Sequence, residues 1–146
     1  MDLYLSKPVQ PHDLINAIEY IIFEAASVEE AFISKVFDSQ SFIERVGGDK
    51  KLIAQVLDAF KTDAEELIAA SKDAFNQKDF QSLKRNAHTL KGAASQLCAN
   101  AVKDTAFEIE KAGELKQGEL AHSLLDRLDY EYSVLKSILL SFENSL

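Results

Sequence analysis

The 146-residue sequence contains very few of the residues that break or cross-link a helical chain. It has one cysteine, two prolines and five glycines, and both prolines lie within the first eleven residues. A single cysteine, Cys98, excludes an internal disulfide bond and favours a reducing compartment. From residue 12 onward the chain has no proline, the strongest helix breaker, so long uninterrupted helices can form there.

Long apolar runs and an excess of basic charge are also missing. No stretch approaches the roughly 20 apolar residues that span a bilayer, and the acidic start of the chain does not resemble a signal peptide. The formal net charge of −8 disfavours nonspecific binding to nucleic acid. Hydrophobic residues make up 47% of the chain, enough for one packed core. We therefore expect a cytoplasmic protein without direct membrane contact.

The apolar residues after Pro11 recur at helical spacing almost throughout the chain. This spacing predicts a helix over residues 12–26 and a helical stretch over residues 28–46 that breaks near Asp38. Four further helices are then predicted, over about residues 50–76, 80–97, 101–113 and 117–142, of which the third is the shortest. Because short connections make neighbouring helices antiparallel, we expect an all-α, up-down-up-down four-helix bundle with additional N-terminal helices.

Residues at the predicted helix ends and on the apolar faces make these boundaries specific. Gly47 and Gly48 predict a helix stop. Polar residues that commonly cap a helix N-terminus precede the next three helices, and these are Asp49, Asp79 and Asn100. The last helix is expected to turn five leucines towards the core, namely Leu120, Leu124, Leu128, Leu135 and Leu139.

The predicted helix over residues 80–97 turns a histidine away from its apolar face. The apolar face consists of residues spaced by three and four, which are Leu83, Ala87, Leu90, Ala94 and Leu97. At about 100° per residue, His88 lies roughly 140° from the middle of this face, and Lys91 lies beside it one turn along. We therefore expect the imidazole of His88 to be exposed to solvent.

Basic residues surround this histidine in the sequence. Between residues 80 and 103 there is no aspartate or glutamate, whereas four basic residues occur there, Lys84, Arg85, Lys91 and Lys103. This basic window within an acidic protein suits an anion that reaches the imidazole. The alternative is a solvated face whose charges carry no function, which is the more common origin of a charge run.

The segment His88-Thr89-Leu90-Lys91-Gly92-Ala93-Ala94 resembles the motif of histidine phosphotransfer (HPt) domains, His-x-Leu-Lys-Gly-(Ser/Ala)-(Ser/Ala). Ile109-Glu110 resembles the Leu-Glu pair on the following helix of that family, and the resemblance extends over about residues 36–142. It implies that His88 accepts a phosphoryl group from a receiver aspartate and passes it to another receiver. Lys91 would then assist the transfer, and Gly92 would leave room for the partner.

Each of these roles has a physical basis in the residue type. A neutral imidazole is a nucleophile, and an ammonium group offsets the negative charge of a phosphoryl group during its transfer. Gly92 costs about 1 kcal/mol relative to alanine within a helix, so its presence calls for a reason. Glu110 either accepts a hydrogen bond from the other ring nitrogen of His88 or is an ordinary surface acid. Receiver docking is expected to involve Lys84, Arg85 and Ser95.

No cofactor, ATP site or metal site is expected. The sequence has no glycine-rich phosphate-binding loop, so we expect a phosphocarrier rather than an autonomous kinase. His88, Cys98 and His122 do not have the spacing of a structural zinc site. Cys98 occupies a position where the HPt family usually has glycine. We expect it to be a small buried residue, and it leaves the geometry of the local turn open.

The first residues resemble a different family. Residues 2–9 resemble the last strand and Lys-Pro turn of a receiver domain, with Lys7 at the lysine that contacts the phosphorylated aspartate, and residues 12–26 match its last helix. This implies a receiver remnant over residues 1–26, an HPt bundle over residues 27–146, and a hybrid sensor histidine kinase as the parent. The apolar face of the 12–26 helix is expected to pack around Phe32, Ile33 and Phe37, or to self-associate with another copy.

Two other functions remain open from the sequence. The dimerisation and phosphoacceptor bundle of a histidine kinase also displays a histidine on a helix, but an acid typically follows that histidine, whereas Thr89 follows His88. A helical interaction module without chemistry would explain the helices. It would not explain Gly92 or the basic window.

Overall fold

The computed structural model describes residues 29–146, which are helical apart from short turns. Residues 29–36 are helical, and five further helices follow: α1 (Ser39–Val46), α2 (Lys50–Asn76), α3 (Phe80–Leu97), α4 (Asn100–Glu114) and α5 (Gly118–Asn144). From α2 to α5 each helix packs on the next, and α2 also packs on α5, which closes the bundle. The expected all-α four-helix bundle with additional N-terminal helices is confirmed for this part of the chain.

Two of the bundle helices have an aspartate as their N-cap, as predicted. Asp49 accepts hydrogen bonds from two backbone N–H groups at the start of α2, and Asp79 accepts them from the N–H and hydroxyl groups of Ser82 at the start of α3. The bonds from Ser82 hold the pKa of Asp79 below its ordinary value. The prediction that Asn100 caps α4 is wrong. Asn100 is already helical, and the N-cap is Ala99, which has no side-chain acceptor to offer.

The three turns between the bundle helices share one backbone geometry. Each contains a non-glycine residue in the left-handed region, with φ of 58° at Lys78, 64° at Cys98 and 54° at Lys116. The N–H of each of these residues donates to the carbonyl oxygen three residues back, and the N–H of the following residue donates to the carbonyl oxygen five residues back from itself. This is the Schellman arrangement, in which glycine is usual. It supplies the turn geometry that the sequence left open at Cys98.

Gly113 lies where α4 and α3 approach each other closely. A β-carbon added at Gly113 would lie 3.2 Å from the backbone nitrogen of Lys84 and 3.2 Å from the carbonyl oxygen of Phe80. The sequence predicted that α4 ends near this glycine, and the helix ends one residue later, at Glu114. The glycine is needed for contact between the two helices, and the turn comes later.

The core faces of the helices agree with the sequence pattern except on α5. All five predicted apolar residues of α3 are buried, and four of the five predicted leucines of α5 are buried. Leu120 is 48% exposed, so its assignment to the core is wrong. The buried face of α5 runs through Ala121, Leu124, Leu125 and Leu128, and Leu120 lies beside that face.

The short segment between residues 36 and 39 enters the core of the bundle. Phe37 is only 3% exposed, and its ring centroid lies 5.7 Å from that of Phe42 and 5.2 Å from that of Phe142. Phe37 is therefore part of the bundle core. Its expected contact with the helix over residues 12–26 stays a prediction. That helix, Lys7 and the boundary between residues 26 and 27 lie outside the described residues.

Within residues 29–146, no helix combines the length and hydropathy needed to cross a bilayer.

Candidate functional site

His88 projects from the middle of α3, on the side opposite the core. The residue before it, Ala87, is buried, whereas the side chain of His88 is 64% exposed. The exposure follows from the helical spacing, because the apolar face of α3 fixes which residues point outward. The imidazole is therefore accessible to another protein without any opening of the bundle.

Glu110, on α4, lies between the two residues that the motif singles out. Its Oε2 is 2.9 Å from Nδ1 of His88, and its Oε1 is 2.9 Å from Nζ of Lys91. The carboxylate is 16% exposed. Burial raises the pKa of Glu110, but the hydrogen bonds from Lys91 and His88 outweigh burial and hold that pKa below its ordinary value. Glu110 is thus an ionised partner of both residues, and not an ordinary surface acid.

This contact decides which ring nitrogen of His88 carries the proton. An ionised carboxylate can only accept a hydrogen bond, so Nδ1 must donate to Glu110. In a neutral imidazole with the proton on Nδ1, the lone pair lies on Nε2. The ring is held by one nitrogen, and the other has the electron pair that a nucleophile needs.

Basic side chains line the surface beside the imidazole. An open depression of about 320 Å³ is lined by five residues, Gln81, Lys84, Arg85, His88 and Glu110. Nζ of Lys84 lies 3.6 Å from Glu114, a long ion pair, and the Arg85 guanidinium donates to the hydroxyl of Ser82. Residues 80–103 contain no acid in the sequence, but in the fold two carboxylates of α4, Glu110 and Glu114, lie beside them. Lys84, Arg85 and Lys91 lie beside these two carboxylates.

Ser95 and Gly92 lie further along the same face of α3. Ser95 is exposed two turns beyond His88, and its carbonyl oxygen accepts a hydrogen bond from Arg45 of α1. Gly92 is also exposed, and a β-carbon added there would meet no atom within 4 Å. Packing within the bundle therefore does not require a glycine at residue 92, in contrast to Gly113.

Two features of the site were missed by sequence reasoning. The first is the ion pair between Lys91 and Glu110. The second is Phe107 on α4, whose ring centroid lies 4.9 Å from Nζ of Lys91 and 5.1 Å from Nζ of Lys111. The spacing of Phe107 and Glu110, three residues apart on one helix, was a signal that both face α3 at the same place.

The other residues considered for chemistry lie apart from this cluster. Cys98 is 6% exposed in the turn after α3, as expected for a small buried residue. The exposed ring of His122 stacks on Phe75, with ring centroids 5.6 Å apart. Within the described residues, no group of three or more metal-binding side chains comes together.

Comparison with known proteins adds independent information on sequence and fold. Residues 55–138, more than half of the chain, match the Hpt domain family. Histidine-containing phosphotransfer protein 5 of Arabidopsis thaliana is 28% identical over 93 residues, which are 62% of this chain and 59% of that protein. Phosphorelay intermediate protein rdeA of Dictyostelium discoideum is 25% identical over 112 residues, 77% of this chain and 44% of that protein. The chain thus spans less than two thirds of these relatives.

A solved structure has the same fold. The histidine-containing phosphotransfer protein B of Pseudomonas aeruginosa superimposes with a TM-score of 0.70 and 22% sequence identity. The match covers 77% of this chain and 98% of that chain. At this level of identity the likeness concerns the helical bundle, and the chemistry has to be argued from the residues.

Proposed function

Because the chain belongs to the Hpt domain family, we propose that it is a phosphocarrier of a two-component phosphorelay. His88 accepts a phosphoryl group from the aspartate of one receiver domain and passes it to the aspartate of another. The observation that carries this proposal is the exposed imidazole of His88, held through Nδ1 by Glu110. That arrangement leaves Nε2 as the nucleophilic atom on an accessible surface.

The transfer is a substitution at phosphorus. Nε2 of His88 attacks the phosphorus of the aspartyl phosphate, a P–N bond forms, and the bond between phosphorus and the aspartate oxygen breaks. The aspartate leaves as a carboxylate. The ring keeps its proton on Nδ1 and gains positive charge, which the carboxylate of Glu110 stabilises at 2.9 Å. Transfer to the second receiver is the same step in reverse.

Lys91 assists phosphotransfer to His88 and from it in this proposal. Lys91 lies one helical turn from His88, and its ammonium group is held by Glu110. This positive charge offsets the negative charge of the phosphoryl oxygens in the transition state. Lys91 is 28% exposed, so it can turn from the carboxylate towards an arriving phosphoryl group without disturbing the core.

The surrounding surface suits the docking of a receiver. Gly92 has open space where a side chain would stand, so a partner can approach the imidazole closely. Lys84 and Arg85 line the depression beside His88 and provide positive charge for the acidic site of a receiver. Ser95 extends the same exposed face away from the histidine.

The alternatives differ from this proposal in what they require. The family match favours an HPt bundle over the dimerisation bundle of a histidine kinase. A helical interaction module without chemistry has no need for one carboxylate that holds both a lysine and an exposed histidine. It remains the alternative that the experiment below tests.

The proposal extends to the context of the bundle. The resemblance of residues 2–9 to a receiver domain, with Lys7 at the matching lysine, supports a hybrid sensor histidine kinase as the parent. A cytoplasmic location fits a relay between receivers and a chain with one cysteine. Self-association through residues 12–26 would be detected by light scattering, as a dimer of residues 1–146 that becomes a monomer when the chain starts at residue 27.

Phosphorylation of His88 is tested by transfer from a receiver charged with acetyl phosphate. The wild-type chain should acquire acid-labile label, and His88→Gln should acquire none. His122→Gln is the matched control, because His122 is equally exposed but lies away from the cluster, and it should be labelled like the wild type. Persistent acid-labile label on His88→Gln would overturn the assignment, and an unlabelled wild type would favour the interaction module.

A further inference from the structure

Phe107 is a large aromatic residue with no place in the core. Its side chain is 46% exposed, and the cluster of buried residues does not include it. Its ring instead meets the ammonium group of Lys91, with Nζ 4.9 Å from the centroid, a distance at which a ring attracts a cation. Lys91 therefore has two anchors on α4, the carboxylate of Glu110 and the ring of Phe107.

The two anchors differ in their effect on the charge of Lys91. Glu110 neutralises the ammonium group, and it competes with any phosphoryl group for the same cation. The ring of Phe107 attracts the cation through its quadrupole and carries no net charge. Lys91 can therefore leave Glu110 for the phosphoryl oxygens while the ring still limits where its long side chain points.

We propose that Phe107 is a positioning residue, which keeps the ammonium group of Lys91 beside His88 during phosphotransfer. This rests on the function proposed above. The role requires an aromatic ring at residue 107 and acts only through Lys91. It predicts that an aliphatic residue of similar size cannot replace Phe107, whereas another aromatic residue can.

The position of Lys91 can be measured without phosphotransfer. In the wild type, the ring current of Phe107 should shift the NMR signals of the ε-methylene protons of Lys91 upfield. Phe107→Leu should abolish this shift, and Phe107→Tyr should retain it. An unchanged Lys91 signal in Phe107→Leu would overturn the proposal, whether or not the chain accepts phosphoryl groups.

A double-mutant cycle then separates positioning from direct contact with the receiver. Phe107→Leu should slow transfer about threefold, the effect expected from one partly exposed cation–π contact, and Phe107→Tyr should restore most of the rate. In a Lys91→Ala background, Phe107→Leu should have no further effect, because the group it positions is gone.

The double-mutant cycle also distinguishes positioning of Lys91 from direct contact between Phe107 and the receiver. An equal loss of rate in both backgrounds would mean that Phe107 contacts the receiver directly, and would overturn the positioning role. Thermal unfolding of Phe107→Leu should differ little from that of the wild type, since the ring is half exposed. A wild type that accepts no label would contradict the proposed function, and the NMR result would still decide the position of Lys91.

Discussion

The α2–α5 and α3–α4 interfaces use their charges in different ways. Three ion pairs join α2 to α5, between Lys61 and Glu143 (2.6 Å), Lys72 and Asp129 (2.7 Å), and Glu65 and Lys136 (3.1 Å). On the α3–α4 side one carboxylate, Glu110, serves two partners, and the pair between Lys84 and Glu114 is long. The α2–α5 interface thus pairs each of these lysines with its own carboxylate, whereas on the α3–α4 side Lys91 shares its carboxylate with the exposed His88.

The largest difference between the two interfaces should appear when one lysine is removed from each. Lys91→Ala should slow phosphotransfer from a charged receiver about tenfold or more, on the order of 1.4 kcal/mol of barrier. Lys72→Ala removes a cation from the α2–α5 interface and should leave the rate unchanged. Because both lysines lie off the core, both variants should melt within a few degrees of the wild type. A similar rate loss in both would mean that the interfaces do not differ in function.

The two helical glycines of this region should respond to alanine in opposite directions. Gly113→Ala places a β-carbon against the backbone of α3, and overpacking of this kind costs about 1–3 kcal/mol, more than the helix propensity gained. Gly92→Ala meets open space and should stabilise the chain by up to about 1 kcal/mol. Urea denaturation measures both. If Gly113→Ala is the more stable variant, the helices can separate without cost.

Bulk at residue 92 should instead affect transfer. Gly92→Gln should keep the stability of the bundle and block the approach of the receiver, so that labelling falls although the protein is folded. Normal transfer by this variant would show that clearance is not the role of Gly92.

The smallest effect is expected for a hydrogen bond of the α2–α5 interface. The hydroxyl group of Tyr132 donates to Glu65 at 2.8 Å, and burial, together with this carboxylate, raises the pKa of Tyr132. Tyr132→Phe should lower the free energy of unfolding by about 1 kcal/mol and leave the transfer rate unchanged. Thermal unfolding and receiver labelling of the same preparation test both statements, and a slower transfer would link this interface to the site.

Local sequence signals explain why some helix boundaries were predicted correctly and others were not. The bounds of α2 and α3 match the prediction because Asp49 and Asp79 offer a side-chain acceptor at each start. Asn100 offers one as well, but the turn before α4 already places Ala99 at the cap. Sequence alone does not indicate that Cys98 adopts a left-handed conformation, because that conformation is uncommon outside glycine.

The site was predictable from the sequence mainly on the α3 side of the helix hairpin. On α4 the family resemblance singled out Glu110, but it left the contact with His88 open. The spacing on α3 predicted that His88 and Lys91 are exposed neighbours. Their partners come from α4, and pairing them requires the length of the turn. Once the turn is known the pairs follow, since His88 and Glu110 are each eleven residues from Ala99, and Lys91 and Phe107 are each eight. The sequence shows both helices but does not show how far one is shifted along the other.

The turn at Cys98 and Ala99 therefore sets the alignment of the site as well as the direction of the chain. One residue inserted there would advance α4 by about 1.5 Å and rotate it by about 100° relative to α3, and would move Glu110 and Phe107 away from His88 and Lys91 together. The backbone N–H of Asp38 donates to the carbonyl oxygen of Cys98 at 3.0 Å, which ties the turn to the start of α1. We therefore expect an insertion in this turn to disrupt the site as severely as a substitution of His88.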